Sequence, residues 1–123
     1  IFASGLHFVV SNNVLAAGPE GLNATGIAVS NSVDINVVDN TVRGFLQAIV
    51  ATDKDTIRIR GNSIDISHSA AAAAIVVKAG VARASVSDNS VTGTDSSDRE
   101  RCVTLEGSNQ SSASRVERDN LCW

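Results

Sequence analysis

The chain has 123 residues, 43% of them hydrophobic, 19% charged, with a formal net charge of −3; that length and apolar content exclude a disordered segment and suit one domain. Ten Lys and Arg against thirteen Asp and Glu, spread without a basic run, argue against a nucleic-acid or anionic-membrane surface, because binding phosphate needs clustered cations. Ser, Asn, Asp and Thr lead the polar fraction, with one Pro and neither Tyr nor Met, which is a turn-rich β composition.

The opening Ile1-Phe2-Ala3-Ser4-Gly5 lacks both a Met and the basic start of a signal peptide. The expectation is a trimmed part of a longer product, residues 1–123 forming a single domain. No apolar run approaches the ~20 residues that span a bilayer.

Taken in order, the chain repeats one pattern. An alternating apolar segment runs into an asparagine and resumes alternating: Phe8 and Val10 before Asn13, with Leu15 after it; Ile35 and Val37 before Asn40, then Val42; Ile57 and Ile59 before Asn62, then Ile64; Ala84 and Val86 before Asn89, then Val91. Asn120, followed by Leu121 and Cys122, is the fifth copy. The asparagines are spaced by 27, 22, 27 and 31 residues, a period that signals a solenoid whose units bury a face by stacking. Alternation with period two means short strands with one side inward, and a third set, Ile27-Ala28-Val29, Ile49-Val50-Ala51 and Ile75-Val76-Val77, precedes the asparagines. Three strands per coil follow.

Each asparagine is expected to form the bend, because it tolerates the left-handed backbone region. Stacked copies can also pass amide hydrogen bonds along the axis as a ladder. The residue before it is Asn12, Asp39, Gly61, Asp88 or Asp119, turn formers all. Asn13, Asn40, Asn62, Asn89 and Asn120 are therefore read as scaffold.

Insertions fall at 16–23, 94–101 and 107–114, which read as loops, and Ala70 to Ala74 as an extended or turn segment too short for a helix. Phe2 and Trp123 are candidates to cover the two ends of the core. Cys102 and Cys122 read two ways. In an exported protein they would pair as a disulfide; in a cytosolic one they would be small buried apolar residues.

Asp39-Asn40-Thr41-Val42, Gly61-Asn62-Ser63-Ile64 and Asp88-Asn89-Ser90-Val91, each after an Ile/Val strand, resemble the repeats of right-handed parallel β-helix proteins of the pectate-lyase-like group. The resemblance spans roughly residues 6 to 93. It implies an all-β solenoid of four to five coils, with a degenerate C-terminal coil because Arg115 and Glu117 hold inward offsets before Asn120.

Stacking would align outward residues in columns. Six before the asparagine stand His7, Asp34, Thr56 and Arg83; four before, Val9, Asn36, Arg58 and Ser85; two before, Ser11, Val38, Arg60 and Ser87. Asp34, Asn36, Arg58, Arg60 and Arg83 thus form the candidate binding set, suited to an acidic polysaccharide because arginine forks match carboxylates. In enzymes of the resembled group carboxylates hold calcium on such a face. Here Asp34 is the single carboxylate in the columns, while calcium takes six or more oxygen ligands, so no metal or cofactor is expected.

The paired aspartates and Gly-His-Gly of polygalacturonase-type hydrolases, and the Asp-Pro-His-Glu of alginate epimerases, are absent; Arg58-Ile59-Arg60 is the nearest fragment to their Arg-Ile-Lys. Asp53 and Asp55, the closest carboxylate pair, read as turn formers, and His7 and His68 lack metal-ligand spacing. Two readings result: a carbohydrate-associated module, extracellular or cell-surface, or a structural solenoid segment of a surface or phage tail-spike-like protein that associates through its ends. If the chain is an enzyme, the resemblance implies a polysaccharide lyase, hydrolase or epimerase, whose known catalytic motifs this stretch lacks.

Overall fold

A computed structural model describes residues 1–18, 23–52, 56–69, 71–94, 99–107 and 115–123, the side chains of Ser32, Arg115 and Val116 excepted. The predicted Asp53 and Asp55, and the 107–114 loop after its first residue, lie outside the described residues. The first coil consists of β1 (Phe2–Leu6), β2 (Val9–Ser11) and β3 (Val14–Ala16); the second of β4 (Thr25–Val33), β5 (Ile35–Val38) and β6 (Thr41–Arg43). The third is β7 (Gln47–Ala51), β8 (Thr56–Arg60) and β9 (Ser63–Asp65), the fourth β10 (Ala73–Val77), β11 (Arg83–Ser87) and β12 (Ser90–Thr92). A short α1 (Arg99–Cys102) leads into the last, β13 (Val103–Leu105), β14 (Arg115–Arg118) and β15 (Leu121–Cys122).

Each coil adds one strand to each of three five-stranded parallel sheets, ordered β1-β4-β7-β10-β13, β2-β5-β8-β11-β14 and β3-β6-β9-β12-β15. The fold is a right-handed parallel solenoid of about four turns. Register follows the repeat. Ile27, Ile49, Ile75 and Val103 are aligned in the first sheet; Val37, Ile59 and Val86 in the second; Val42, Ile64 and Val91 in the third. All but Val103 of these side chains are essentially sealed from solvent, and the core is this triangular column.

The asparagines run inside the wall between the second and third sheets. Nδ2 and the backbone N–H of Asn40 both donate to Oδ1 of Asn62 at 3.0 Å. Asn62 donates in the same way to Asn89, Asn89 to Asn120 and Asn13 to Asn40. Nδ2 of Asn40, Asn62 and Asn89 also reaches the carbonyl two residues earlier and a carbonyl of the preceding coil. The three inner rungs, Asn40, Asn62 and Asn89, are buried, and the end rungs Asn13 and Asn120 are partly exposed.

One expectation needs correcting. The left-handed residue at each bend is not the asparagine but the residue before it: Asn12, Asp39, Gly61, Asp88 and Asp119 have φ between 54° and 67°. That corner turns the chain, which frees the asparagine to face inward and bond. Gly61 fits here for a second reason, since a Cβ on it would run into the Asp39 carboxylate of the preceding coil.

Three further differences concern the ends and a loop. Phe2 is 71% and Trp123 53% exposed, so neither covers the core; Phe2 is on the outward side of β1, whose inward Ala3 is buried. Phe8, in line with inward Ile35, is 41% exposed because no coil lies over it. Within 94–101, read as loop, Arg99 begins a helical turn. Arg101 from that turn donates to the carbonyls of Ala72 and Ser69, a long-range tie no local pattern announces. The last coil is degenerate as expected, Arg115 and Glu117 pairing with Ala84 and Val86.

Cys102 and Cys122 are joined as a disulfide, their Cα atoms 6.0 Å apart. It fastens α1 to the last strand across a separation of 20 residues, and closing a loop of that length stabilises by about 3 kcal/mol. Replacing both cysteines by alanine is expected to cost about 3 kcal/mol in urea unfolding; an unchanged midpoint would show the bond idle.

Candidate functional site

The outward side of the second sheet carries the candidate set. Asn36, Arg58 and Ser85 are paired in register, as are Val38, Arg60, Ser87 and Arg118. Arg83 pairs with Thr56 at the start of β11. Alternation of inward Ile57 and Ile59 with outward Arg58 and Arg60 in β8 produces this directly.

Asp34 lies at the corner between β4 and β5, left-handed at φ 55°, and His7 takes the same conformation before β2. From there the Asp34 carboxylate meets Arg58 Nη1 at 2.6 Å and His7 Nδ1 at 3.4 Å. The Arg58 hydrogen bond, followed by that of His7, holds the Asp34 carboxyl below its ordinary value of 3.8. Both partners are well exposed, so solvent screening keeps the pair weak. Asp65 is likewise lowered, by the hydroxyl and backbone N–H of Ser67, but it belongs to a turn on the third sheet.

Two adjoining hollows lie on this face, of about 290 and 390 Å³. They share Arg58, Ser85 and Arg118. Ser85 and Ser87 are the small residues between a wall of Arg58 and Arg60 on β8 and Arg118 on β14, with Arg83 at one end and Asp88 at the other. Ser87 Oγ donates to Asp88 at 2.9 Å. A trough with four guanidinium groups thus exists on a chain whose net charge is negative.

Of the five predicted residues, Arg58, Arg60 and Arg83 line the trough, Asn36 borders it, and Asp34 stands outside as the counter-ion of Arg58. Arg118 was missed, although it stands two residues before Asn120, where Arg60 stands before Asn62. The degenerate inward residues of that coil obscured it. Among the described residues no group of three or more His, Cys, Asp or Glu is placed to hold a metal. His68 is exposed in a turn. Among the described residues no helix is long and apolar enough to cross a membrane. Comparison with protein-family models, curated proteins and solved structures finds no match.

Proposed function

We propose that the chain is a carbohydrate-associated β-helix module that binds an acidic polysaccharide along the outward second sheet. The observation that carries this is the gathering of Arg58, Arg60, Arg83 and Arg118 around one serine-floored trough. Planar guanidinium forks suit carboxylate or sulfate groups, and serine hydroxyls suit sugar hydroxyls. Among the described residues no aromatic side chain lines the trough to stack on a sugar ring, so the proposed ligand is one selected by its charge. Asp34 is engaged by Arg58, which favours binding over cleavage. The repeat's likeness to the pectate-lyase-like group agrees with a glycan ligand, and the disulfide agrees with an extracellular or cell-surface setting.

An acidic polysaccharide such as polygalacturonate, at a hundred times its dissociation constant, is expected to stabilise the fold by about 2.7 kcal/mol, several degrees in Tm. The shift should weaken with added salt and vanish in Arg58→Ala/Arg60→Ala. No shift across acidic and neutral glycans would refute the proposal.

A second reading, a structural solenoid segment, is favoured by a different observation. The first coil carries Phe2, Leu6, Val9 and Val14 between 62% and 75% exposed, apolar surface of the kind that marks an interaction site.

A further inference from the structure

The trough runs along β11, across the stacking direction. Its walls stand on the neighbouring strands β8 and β14, about 10 Å apart, and its floor is Ser85 and Ser87 of β11. A ligand chain seated through both hollows lies parallel to the strands. It meets the outward side chains at levels two residues, or about 6.6 Å, apart. That step is on the scale of one sugar unit, so consecutive sugars meet consecutive levels.

The levels differ in charge. Arg83 and Thr56 form the first, Arg58 and Ser85 the second, and Arg60, Ser87 and Arg118 the third. Among the described residues Arg60, Arg83 and Arg118 enter no ion pair, whereas Arg58 is held by Asp34 at 2.6 Å. Exposure makes that pair weak, but its net charge is zero. Past the third level the chain turns at Asp88, whose carboxylate accepts from Ser87 Oγ. The floor therefore passes from cationic to neutral to cationic, and ends anionic.

We infer that the trough selects a polysaccharide in which acidic and neutral sugars alternate. One acid group meets Arg83, an uncharged sugar lies over Ser85, and the next acid group enters between Arg60 and Arg118. A uniformly charged chain would set a carboxylate at the middle level, where Arg58 already has one in Asp34, and another against Asp88; like charges so placed repel. Ser85 and Asp88 offer hydrogen-bonding oxygens to the hydroxyls of neutral sugars instead. Asp34 thus sets specificity from outside the trough, by cancelling the middle guanidinium. The inference rests on the acidic-polysaccharide reading and narrows it to one charge pattern.

Calorimetric titration of the unaltered chain at low salt, with hexasaccharides of hyaluronan and of galacturonan, tests it. The first carries an acid group on alternate sugars, the second on every sugar. Hyaluronan is expected to bind about threefold more tightly despite its lower charge, the order of one exposed charge contact. In Asp34→Asn, which suits the same left-handed corner, galacturonan should gain about threefold while hyaluronan stays unchanged. Equal affinities, a preference for galacturonan, or an unaltered ratio in Asp34→Asn overturns the inference alone. Binding of neither overturns it too, and with it the acidic-polysaccharide reading if no glycan moves the Tm.

Discussion

Asn62→Ala is expected to lower stability by about 4 kcal/mol. Asn62 is 1% exposed and occupies the middle of the ladder. Its Oδ1 accepts from the N–H and Nδ2 of Asn40, and its Nδ2 donates to Asn89, Val37 and Arg60. Truncation therefore orphans the backbone N–H of Asn40, takes one of three acceptors from its Nδ2, and removes a donor from three acceptors in a part of the fold with restricted access to water. An unsatisfied buried group costs about 1–3 kcal/mol, and partial relaxation keeps the total below the sum. Asn13→Ala removes the terminal rung, where the residue is only partly buried, and should cost only about 1 kcal/mol. The ratio between the two variants in urea unfolding is the informative quantity. Equal, small losses would mean that the ladder is not a source of stability.

Ile59→Ala is the second. Its side chain is fully buried between Val37 and Val86 of the neighbouring coils. Large-to-small changes at such sites lose transfer energy and leave a cavity, costing 2–5 kcal/mol. A column held in register from both sides collapses poorly, so about 4 kcal/mol is expected. The neighbouring Arg60→Ala, on the outward side of the same strand, should change stability by about 0.5 kcal/mol or less. Thermal unfolding of the two variants reads the inward–outward alternation directly. A loss for Arg60→Ala as large as for Ile59→Ala would place the core on the wrong side.

Much of this fold is legible in the sequence because a solenoid makes long-range register periodic. Once Asn40, Asn62 and Asn89 are aligned, the pairing of Asn36 with Arg58 and Ser85 follows by counting. What could not be counted was conformation at one residue. Left-handed φ at Asp39 rather than Asn40 depends on which of two adjacent turn formers has its side chain claimed by the ladder. Arg118 escaped because its coil had lost the inward pattern that locates the outward one. Arg101 reaches Ala72 and Ser69 from a helical turn in an insertion, where periodicity carries no information. The serine floor of the trough had the opposite fate. Ser85 and Ser87 were in the columns, but their meaning came from the larger arginines on both sides.

Stacking of the coils brings distant outward residues into one column. Spin labels placed at Asn36→Cys and Ser85→Cys test that most directly, since the native cysteines are bonded to each other and take no label. The two sites are joined through Arg58, one strand step on either side, which sets their backbones about 10 Å apart. Strong dipolar broadening of the doubly labelled spectrum is the predicted result; a spectrum equal to the sum of the two single-label spectra would contradict the register and the arginine trough built on it.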